Sequence, residues 1–229
     1  MAGHPDMKLI EYPDRDMLAI DLAQILAGEL TATLQHEDRA TLVVPGGTTP
    51  GPILDALCAA DLDWARVDVM LSDERWVPED HPRSNTALLR KRLFVGPAAR
   101  AHLLPLYAPA AQPELAIGQL EQVIRGHLPI SVALLGMGGD MHTASLFPGA
   151  DNLARALAED APILVPMRPD SQPDARLTLS ARVLNQALSV HVVITGQDKR
   201  QAVLKAQHLP AETAPIAALL DAAVVHWAP

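Results

Sequence analysis

The chain alternates short apolar runs with longer segments in which apolar residues recur three or four positions apart. The short runs have the length of strands and are rich in Val, Leu and Ile; they lie at 40–44, 67–71, 132–135 and 190–195. The longer segments have helical spacing and lie at 14–35, 50–60, 113–127 and 198–207. This alternation predicts a mostly parallel sheet that is covered by helices on both faces.

Local signals add detail to this prediction. Asp14 precedes the first helical segment and Ser84 precedes a helix that runs to about Leu93, and both residue types cap helix starts. Short extended segments are expected at 163–166 and 176–179, and 224–227 is expected to add an edge strand. The Pro-rich stretches at 103–113 and 166–173 are neither long nor polar enough for linkers, so we predict a single α/β domain over residues 1–229.

The composition limits the partners of the protein. A formal net charge of -9 argues against nucleic acid, because binding a phosphate backbone needs clustered Lys and Arg. The first residues lack the features of a signal peptide, and no run approaches the roughly 18 apolar residues of a membrane span. Cys58 is the single cysteine and excludes an intrachain disulfide. We therefore expect a cytoplasmic monomer or weak homodimer whose partner is a small molecule, not nucleic acid or a membrane.

Unusual loops follow the four predicted buried strands, and ligands of open parallel sheets bind beyond the carboxyl ends of the strands. The first loop contains Gly46, Gly47 and Thr48 between a strand and a helix. Glycines allow close approach of the backbone, and a helix start offers free N–H groups to an anion. The loop matches neither a dinucleotide-binding fingerprint nor a Walker loop, so a plain tight turn remains an alternative.

The second loop places Asp73, Glu74 and Arg75 directly after a buried strand. The planar guanidinium of Arg75 suits a phosphate group. Asp73 or Glu74 would orient a base, bind sugar hydroxyls or pair with Arg75. A solvated turn is the simpler alternative for all three residues.

The third and fourth loops supply a base and further cations. His142 lies in a glycine-rich loop beside Asp140, and imidazole exchanges protons near neutral pH. Lys199 lies near a helix start, where a cation is unfavourable unless an anion binds there. Arg176 is a similar candidate, and the alternative for both cations is a solvent-facing side chain.

Other kinds of site have little support in the sequence. The nine histidines show neither H-x-x-x-H nor H-E-x-x-H spacing, so we expect no metal site and no cofactor. Ser145 does not lie in a G-x-S-x-G turn, which argues against the serine triad of the α/β-hydrolases.

Taken in order over roughly residues 40–205, these segments resemble the 6-phosphogluconolactonase family of the glucosamine-6-phosphate isomerase/6-phosphogluconolactonase superfamily. The family's Gly-Gly-Ser-Thr-Pro turn is matched at 46–50, and its Asp-Glu-Arg, Val-Pro and Ser-Asn motifs are matched at 73–75, 77–78 and 84–85. Its Gly-Met-Gly loop and His-Thr-Ala-Ser-Leu-Phe-Pro string are matched at 136–138 and 142–148. Its Arg-Ile-Thr-Leu-Thr and Gly-x-x-Lys motifs are matched at 176–180 and 196–199. The string that begins at His142 is the most specific of these matches.

The resemblance implies a fold and an activity. The fold is a three-layer αβα arrangement with a mostly parallel, Rossmann-like sheet, of the sugar-phosphate isomerase/CoA transferase-like type. The activity is hydrolysis of 6-phospho-D-glucono-1,5-lactone to 6-phospho-D-gluconate in the oxidative pentose phosphate pathway, without a metal or a cofactor. His142 would be the catalytic base that activates water, and Asp73 would orient or bind sugar hydroxyls.

The resemblance also implies how the substrate is held. The phosphate would be bound by Arg75, Arg176 and Lys199. Backbone N–H groups around Gly47 and Thr48 would support it.

One position departs from the family pattern: Met141 stands where the family has a glycine immediately before the histidine. We expect Met141 to have φ < 0, because Gly138 and Gly139 can absorb the backbone change. The alternative is a strained φ > 0.

Two other functions remain open. Glucosamine-6-phosphate deaminases have a similar Asp-Gly-His loop, but Ile-Ala-Phe-Asn-Glu follows their His, where this chain has Thr-Ala-Ser-Leu at 143–146. A catalytically inactive sugar-phosphate-binding protein is favoured only by Met141.

Overall fold

The computed structural model describes residues 7–229 of the protein, and its secondary structure follows the predicted alternation. The strands of this part are β1 (Lys8–Glu11), β2 (Ala40–Val44), β3 (Val67–Leu71), β4 (Asp73–Arg75), β5 (His102–Leu103), β6 (Val132–Gly136), β7 (Leu164–Met167), β8 (Arg176–Leu179), β9 (Ser189–Thr195) and β10 (Ala223–Ala228). The α-helices are α1 (Arg15–Leu34), α2 (Gly51–Leu57), α3 (Asn85–Arg92), α4 (Ile117–Arg125), α5 (Leu153–Leu157), α6 (Ala181–Asn185) and α7 (Gln197–Ala206).

Seven strands form a parallel sheet in the order β1-β10-β9-β6-β2-β3-β5. The four runs predicted as buried strands supply its centre, and β2 and β3 are buried at every residue. Such strands lie between helical layers, which explains why their sequences are apolar on both faces. The prediction of a three-layer α/β fold with a mostly parallel sheet is confirmed.

The expectation that 224–227 forms an edge strand is wrong. β10 lies between β9 and β1, and Lys8–Glu11 pairs in parallel with the segment from Val224 to Trp227. The edges are β1 and β5. β1 is largely exposed and β5 has two residues, so neither carries the apolar run by which the sequence identifies a strand.

A second, antiparallel sheet in the order β4-β8-β7 was not expected as a separate unit. The two extended segments near 163–166 and 176–179 are confirmed as β7 and β8. β4 follows the parallel strand β3 after one residue, Ser72, and its register places Asp73 opposite Thr178 and Arg75 opposite Arg176. This small sheet therefore carries charged side chains to the carboxyl end of the parallel strands.

Both predicted helix caps are confirmed. The Asp14 carboxylate accepts the N–H of Met17 at 2.8 Å, and the Ser84 hydroxyl accepts the N–H of Ala87 at 3.2 Å. α1 has the length and apolarity of a membrane-spanning helix. It also contacts β2, β6 and β10, and its buried side chains include Leu22, Leu26 and Leu30, as expected of a helix in a globular core.

Candidate active site

A cavity of about 280 Å³ opens beyond the carboxyl ends of the central parallel strands. Loops after β2, β3, β6 and β9 border it, as the position of ligands in open parallel sheets predicts. All of the residues predicted for the site line this one cavity, namely Gly47, Thr48, Asp73, Arg75, His142, Arg176 and Lys199.

The loop before His142 is a tight turn closed at Gly138. The Met141 N–H donates to the Gly138 carbonyl at 3.0 Å, and the Gly138 N–H donates to the His142 carbonyl at 2.9 Å. A turn closed in this way needs a left-handed residue at its fourth position. Met141 has φ +67°, so the expectation of a negative φ is wrong. Gly138 and Gly139 do not allow Met141 to keep a negative φ, because the hydrogen bonds that close the turn set the conformation of residue 141 itself.

The orientation of the His142 imidazole is fixed by three neighbours, Asp140, Phe147 and Gly138. Its Nδ1 lies within hydrogen-bonding distance of the Asp140 carboxylate, and its ring stacks on Phe147 with centroids 4.1 Å apart. A Cβ at Gly138 would lie 2.1 Å from the imidazole Cε1, so only glycine leaves room for the ring there. Because a carboxylate accepts, Nδ1 carries the proton, and the Nε2 lone pair of the neutral ring is free to act as a base.

Asp73 lies in the cavity wall but does not bond the imidazole; the structure gives that role to Asp140. The Asp73 carboxylate accepts hydrogen bonds from the hydroxyls of Ser72, at 3.0 Å, and Ser145. Its Oδ2 also lies 3.6 Å from Nη1 of Arg176. These contacts hold the carboxylate at the cavity, where a role in binding sugar hydroxyls stays a prediction.

Glu74 has a structural role and does not line the cavity. Its buried carboxylate accepts the N–H groups of Asn85 and Thr86, at 2.8 and 2.7 Å, and so caps the start of α3. The proposed pairing of Glu74 with the Arg75 guanidinium is not formed; the Arg75 backbone N–H donates to Glu74 instead, at 2.8 Å.

Arg75 and Arg176 lie directly opposite each other on β4 and β8. Both Nε atoms are buried and have no hydrogen-bond partner among the described residues. Like charges opposite each other destabilise an antiparallel pair, and an unpaired buried donor costs about 1–3 kcal/mol. Burial lowers the pKa of Arg176, with the Asp73 charge opposing that shift. The pair therefore places excess positive charge at the cavity, which a bound anion would neutralise.

Lys199 brings a third cation to the cavity from the first turn of α7. Gly196, with φ +85°, turns the chain from β9 into this helix. Burial lowers the pKa of the Lys199 ammonium, while the charge of Asp140 opposes the shift. The residues that line the cavity thus include three cations, Arg75, Arg176 and Lys199, and the carboxylate of Asp73, in a chain whose overall charge is negative.

The loop after β2 forms another wall. Gly47 has φ +83°, a conformation that favours glycine, and Thr48 follows it at the cavity edge. Asn85 also lines the cavity, although in the sequence it stands out only as part of the Ser-Asn motif. The sequence signal that could have identified Asn85 as a site residue is its position directly after the capping residue Ser84. Within residues 7–229 no group of three or more His, Cys, Asp or Glu side chains is arranged to hold a metal ion.

Comparison with known proteins gives one consistent result. Residues 13–227 match the family model described as glucosamine-6-phosphate isomerases/6-phosphogluconolactonase. A 6-phosphogluconolactonase of Pseudomonas aeruginosa is 42% identical over 215 residues, which cover 91% of this chain and 89% of that protein. One of Mesorhizobium japonicum is 41% identical over 225 residues, with 95% and 94% covered.

Solved structures agree with this result. The crystal structure of a 6-phosphogluconolactonase from Shewanella baltica has a TM-score of 0.95 at 28% identity and covers 99% of both chains. A monomeric glucosamine-6-phosphate deaminase has a TM-score of 0.75 at 21% identity, a likeness that shows the shared fold alone. The family match spans almost the whole chain, and the site loops lie on one cavity; the chain is therefore an enzyme of the 6-phosphogluconolactonase family.

Proposed function

We propose that this enzyme hydrolyses 6-phospho-D-glucono-1,5-lactone to 6-phospho-D-gluconate, the step of the oxidative pentose phosphate pathway that opens the lactone ring. The names of its relatives support the activity. One observation carries the mechanism: an imidazole oriented by a carboxylate lines the same cavity as three cations. A base and an anion site in one cavity suit a substrate with a reactive carbonyl at one end and a phosphate at the other.

In the proposed reaction, Nε2 of His142 takes a proton from a water molecule as the water oxygen attacks the lactone carbonyl. The Asp140 carboxylate stabilises the imidazolium that forms. The C–O bond to the ring oxygen of the tetrahedral oxyanion then breaks, and that oxygen takes the proton from His142. The products are the open-chain hydroxyl and a carboxylic acid, which loses its proton to solvent.

The Arg75–Arg176 pair and Lys199 bind the phosphate in this proposal. Arg75 and Arg176 both line the cavity, and the planar fork of a guanidinium group matches the geometry of phosphate oxygens. Backbone N–H groups around Gly47 and Thr48 complete the anion site. Asp73, which is held by two serine hydroxyls, accepts from sugar hydroxyls.

The test is a coupled assay with freshly prepared lactone, corrected for spontaneous hydrolysis. We expect enzyme-dependent release of 6-phosphogluconate that persists after exhaustive EDTA treatment. Activity that is lost with EDTA and restored by zinc or magnesium would refute the metal-free mechanism. Glucosamine 6-phosphate is the second substrate: ammonia release from it, without lactone hydrolysis, would make the enzyme a deaminase. Binding of 6-phosphogluconate without turnover of either substrate would make it an inactive sugar-phosphate-binding protein.

A further inference from the structure

We propose that Asn85 is a further substrate-binding residue, whose side-chain amide packs against the loop at Gly46 and holds a hydroxyl group of the lactone. This inference rests on the proposed function and extends it to the sugar part of the substrate. Asn85 contacts Asp73 and lies close to Gly46, whereas His142 contacts Asp140 and Phe147.

The Asn85 amide is buried but incompletely paired. The residue is 4% exposed and borders the cavity. Its Nδ2 donates to the Asp73 carbonyl at 3.2 Å, which is the side chain's one hydrogen bond within the described chain. An amide offers two donor hydrogens and an acceptor oxygen, so one hydrogen and Oδ1 are left for the cavity. A sugar hydroxyl both donates and accepts, and it therefore satisfies both groups.

Glu74 fixes the backbone of Asn85. The Asn85 N–H donates to Glu74 Oε1 at 2.8 Å, and Thr86 donates to Oε2 through both its N–H and its hydroxyl, each at 2.7 Å. Glu74 is 1% exposed and lies between Asp73 and Arg75 on β4. The short strand β4 thus carries Asp73, which is proposed to bind sugar hydroxyls, Arg75, which is proposed to bind the phosphate, and Glu74, which holds Asn85 in place.

Gly46 shows that the amide lies flat against the opposite loop. A Cβ at Gly46 would lie 2.2 Å from Asn85 Oδ1 and 2.5 Å from Nδ2. The backbone of Gly46 lies outside the left-handed region, unlike that of Gly47, so its own conformation does not require glycine. Glycine is needed at 46 because the Asn85 amide occupies the space of a side chain.

The first measurement compares two substrates, 6-phosphogluconolactone and plain gluconolactone. Asn85→Ala removes a hydroxyl contact that both substrates make, so kcat/KM should fall about 5- to 100-fold on each, to a similar extent. Loss of a residue that binds the phosphate would have a different effect, because it would lower kcat/KM mainly for the phosphorylated substrate. A loss confined to the phosphorylated lactone, or no loss on either, would overturn the inference.

The second measurement is a double-mutant cycle with Gly46→Ala. In the wild-type background the new methyl group displaces the Asn85 amide, and kcat/KM should fall as far as in Asn85→Ala. In the Asn85→Ala background the methyl group has space, so it should cause little further loss. Additive losses would show that Gly46 acts independently of Asn85 and would overturn the inference. Gly46→Ala by itself also tests the contact with Asn85 intact, should Asn85→Ala be unstable.

Thr86→Val is the matched control, because it removes a hydroxyl from the same helix cap without altering the cavity wall. It should lower the melting temperature and leave kcat/KM of both lactones near wild type. A loss of kcat/KM equal to that of Asn85→Ala would assign the effect to the cap and refute a contact with substrate. Absence of lactone hydrolysis by the wild-type enzyme refutes the proposed function itself, whereas an active wild type with an unaffected Asn85→Ala refutes this inference alone.

Discussion

The left-handed backbone of Met141 predicts an unusual order of stability between two variants. Met141→Gly and Met141→Ala both remove the half-buried side chain, so the loss of its packing cancels in their comparison. Alanine keeps the Cβ that makes φ +67° unfavourable, at a cost of about 1–2 kcal/mol. Glycine avoids that cost but adds about 0.4–1 kcal/mol of unfolded-state entropy. The glycine variant should therefore be the more stable of the two by about 1 kcal/mol.

Thermal unfolding measures this difference. For a chain of this size, about 1 kcal/mol corresponds to roughly 2–4 °C in Tm. The control is Ala158→Gly, at a position with φ -64°, where glycine should lower stability by about 0.4–1 kcal/mol. If the alanine form has the higher Tm at position 141, as is expected at position 158, a left-handed backbone at residue 141 is refuted. We expect Met141→Gly to retain kcat, because the turn that places His142 is unchanged.

Three further predictions concern the base, the phosphate and a buried histidine. His142→Ala should lower kcat about 100- to 10,000-fold, and Asp140→Asn should lower it less; a folded His142→Ala enzyme with near-native kcat is not compatible with His142 as the base. Arg75→Ala should reduce kcat/KM for the phosphorylated lactone about 10- to 150-fold and affect plain gluconolactone far less, with Arg75→Lys only partly active; equal losses on both lactones would assign Arg75 another role. Burial, with a smaller contribution from His191, lowers the pKa of His226 to about 4, whereas the unfolded chain binds that proton below about pH 6.5. Stability should therefore fall as the pH drops, by about 2 kcal/mol between pH 7.5 and 5 for this group, and urea unfolding of His226→Gln should show a smaller decrease.

The sequence determined the parallel sheet and the location of the site. Strands buried on both faces must be apolar throughout, so 40–44 and 67–71 were recognisable without any knowledge of their neighbours. The carboxyl ends of parallel strands meet at one edge of a sheet, and this geometry alone predicted that Asp73, His142 and Lys199 would line one cavity. The caps by Asp14 and Ser84 were equally predictable, because each side chain accepts an N–H three positions along the chain.

The tertiary structure decided which of these side chains touch each other. The two arginines face each other only because β4 and β8 pair across a separate small sheet, and the partners of a three-residue strand cannot be read from its sequence. A contact distant in sequence likewise placed Glu74 on the cap of α3, and closure of the turn at 138–142 placed Asp140 on the imidazole and set φ +67° at Met141. Sequence patterns report the burial and local propensity of each segment, whereas these contacts depend on register and on turn closure, which only the folded chain sets.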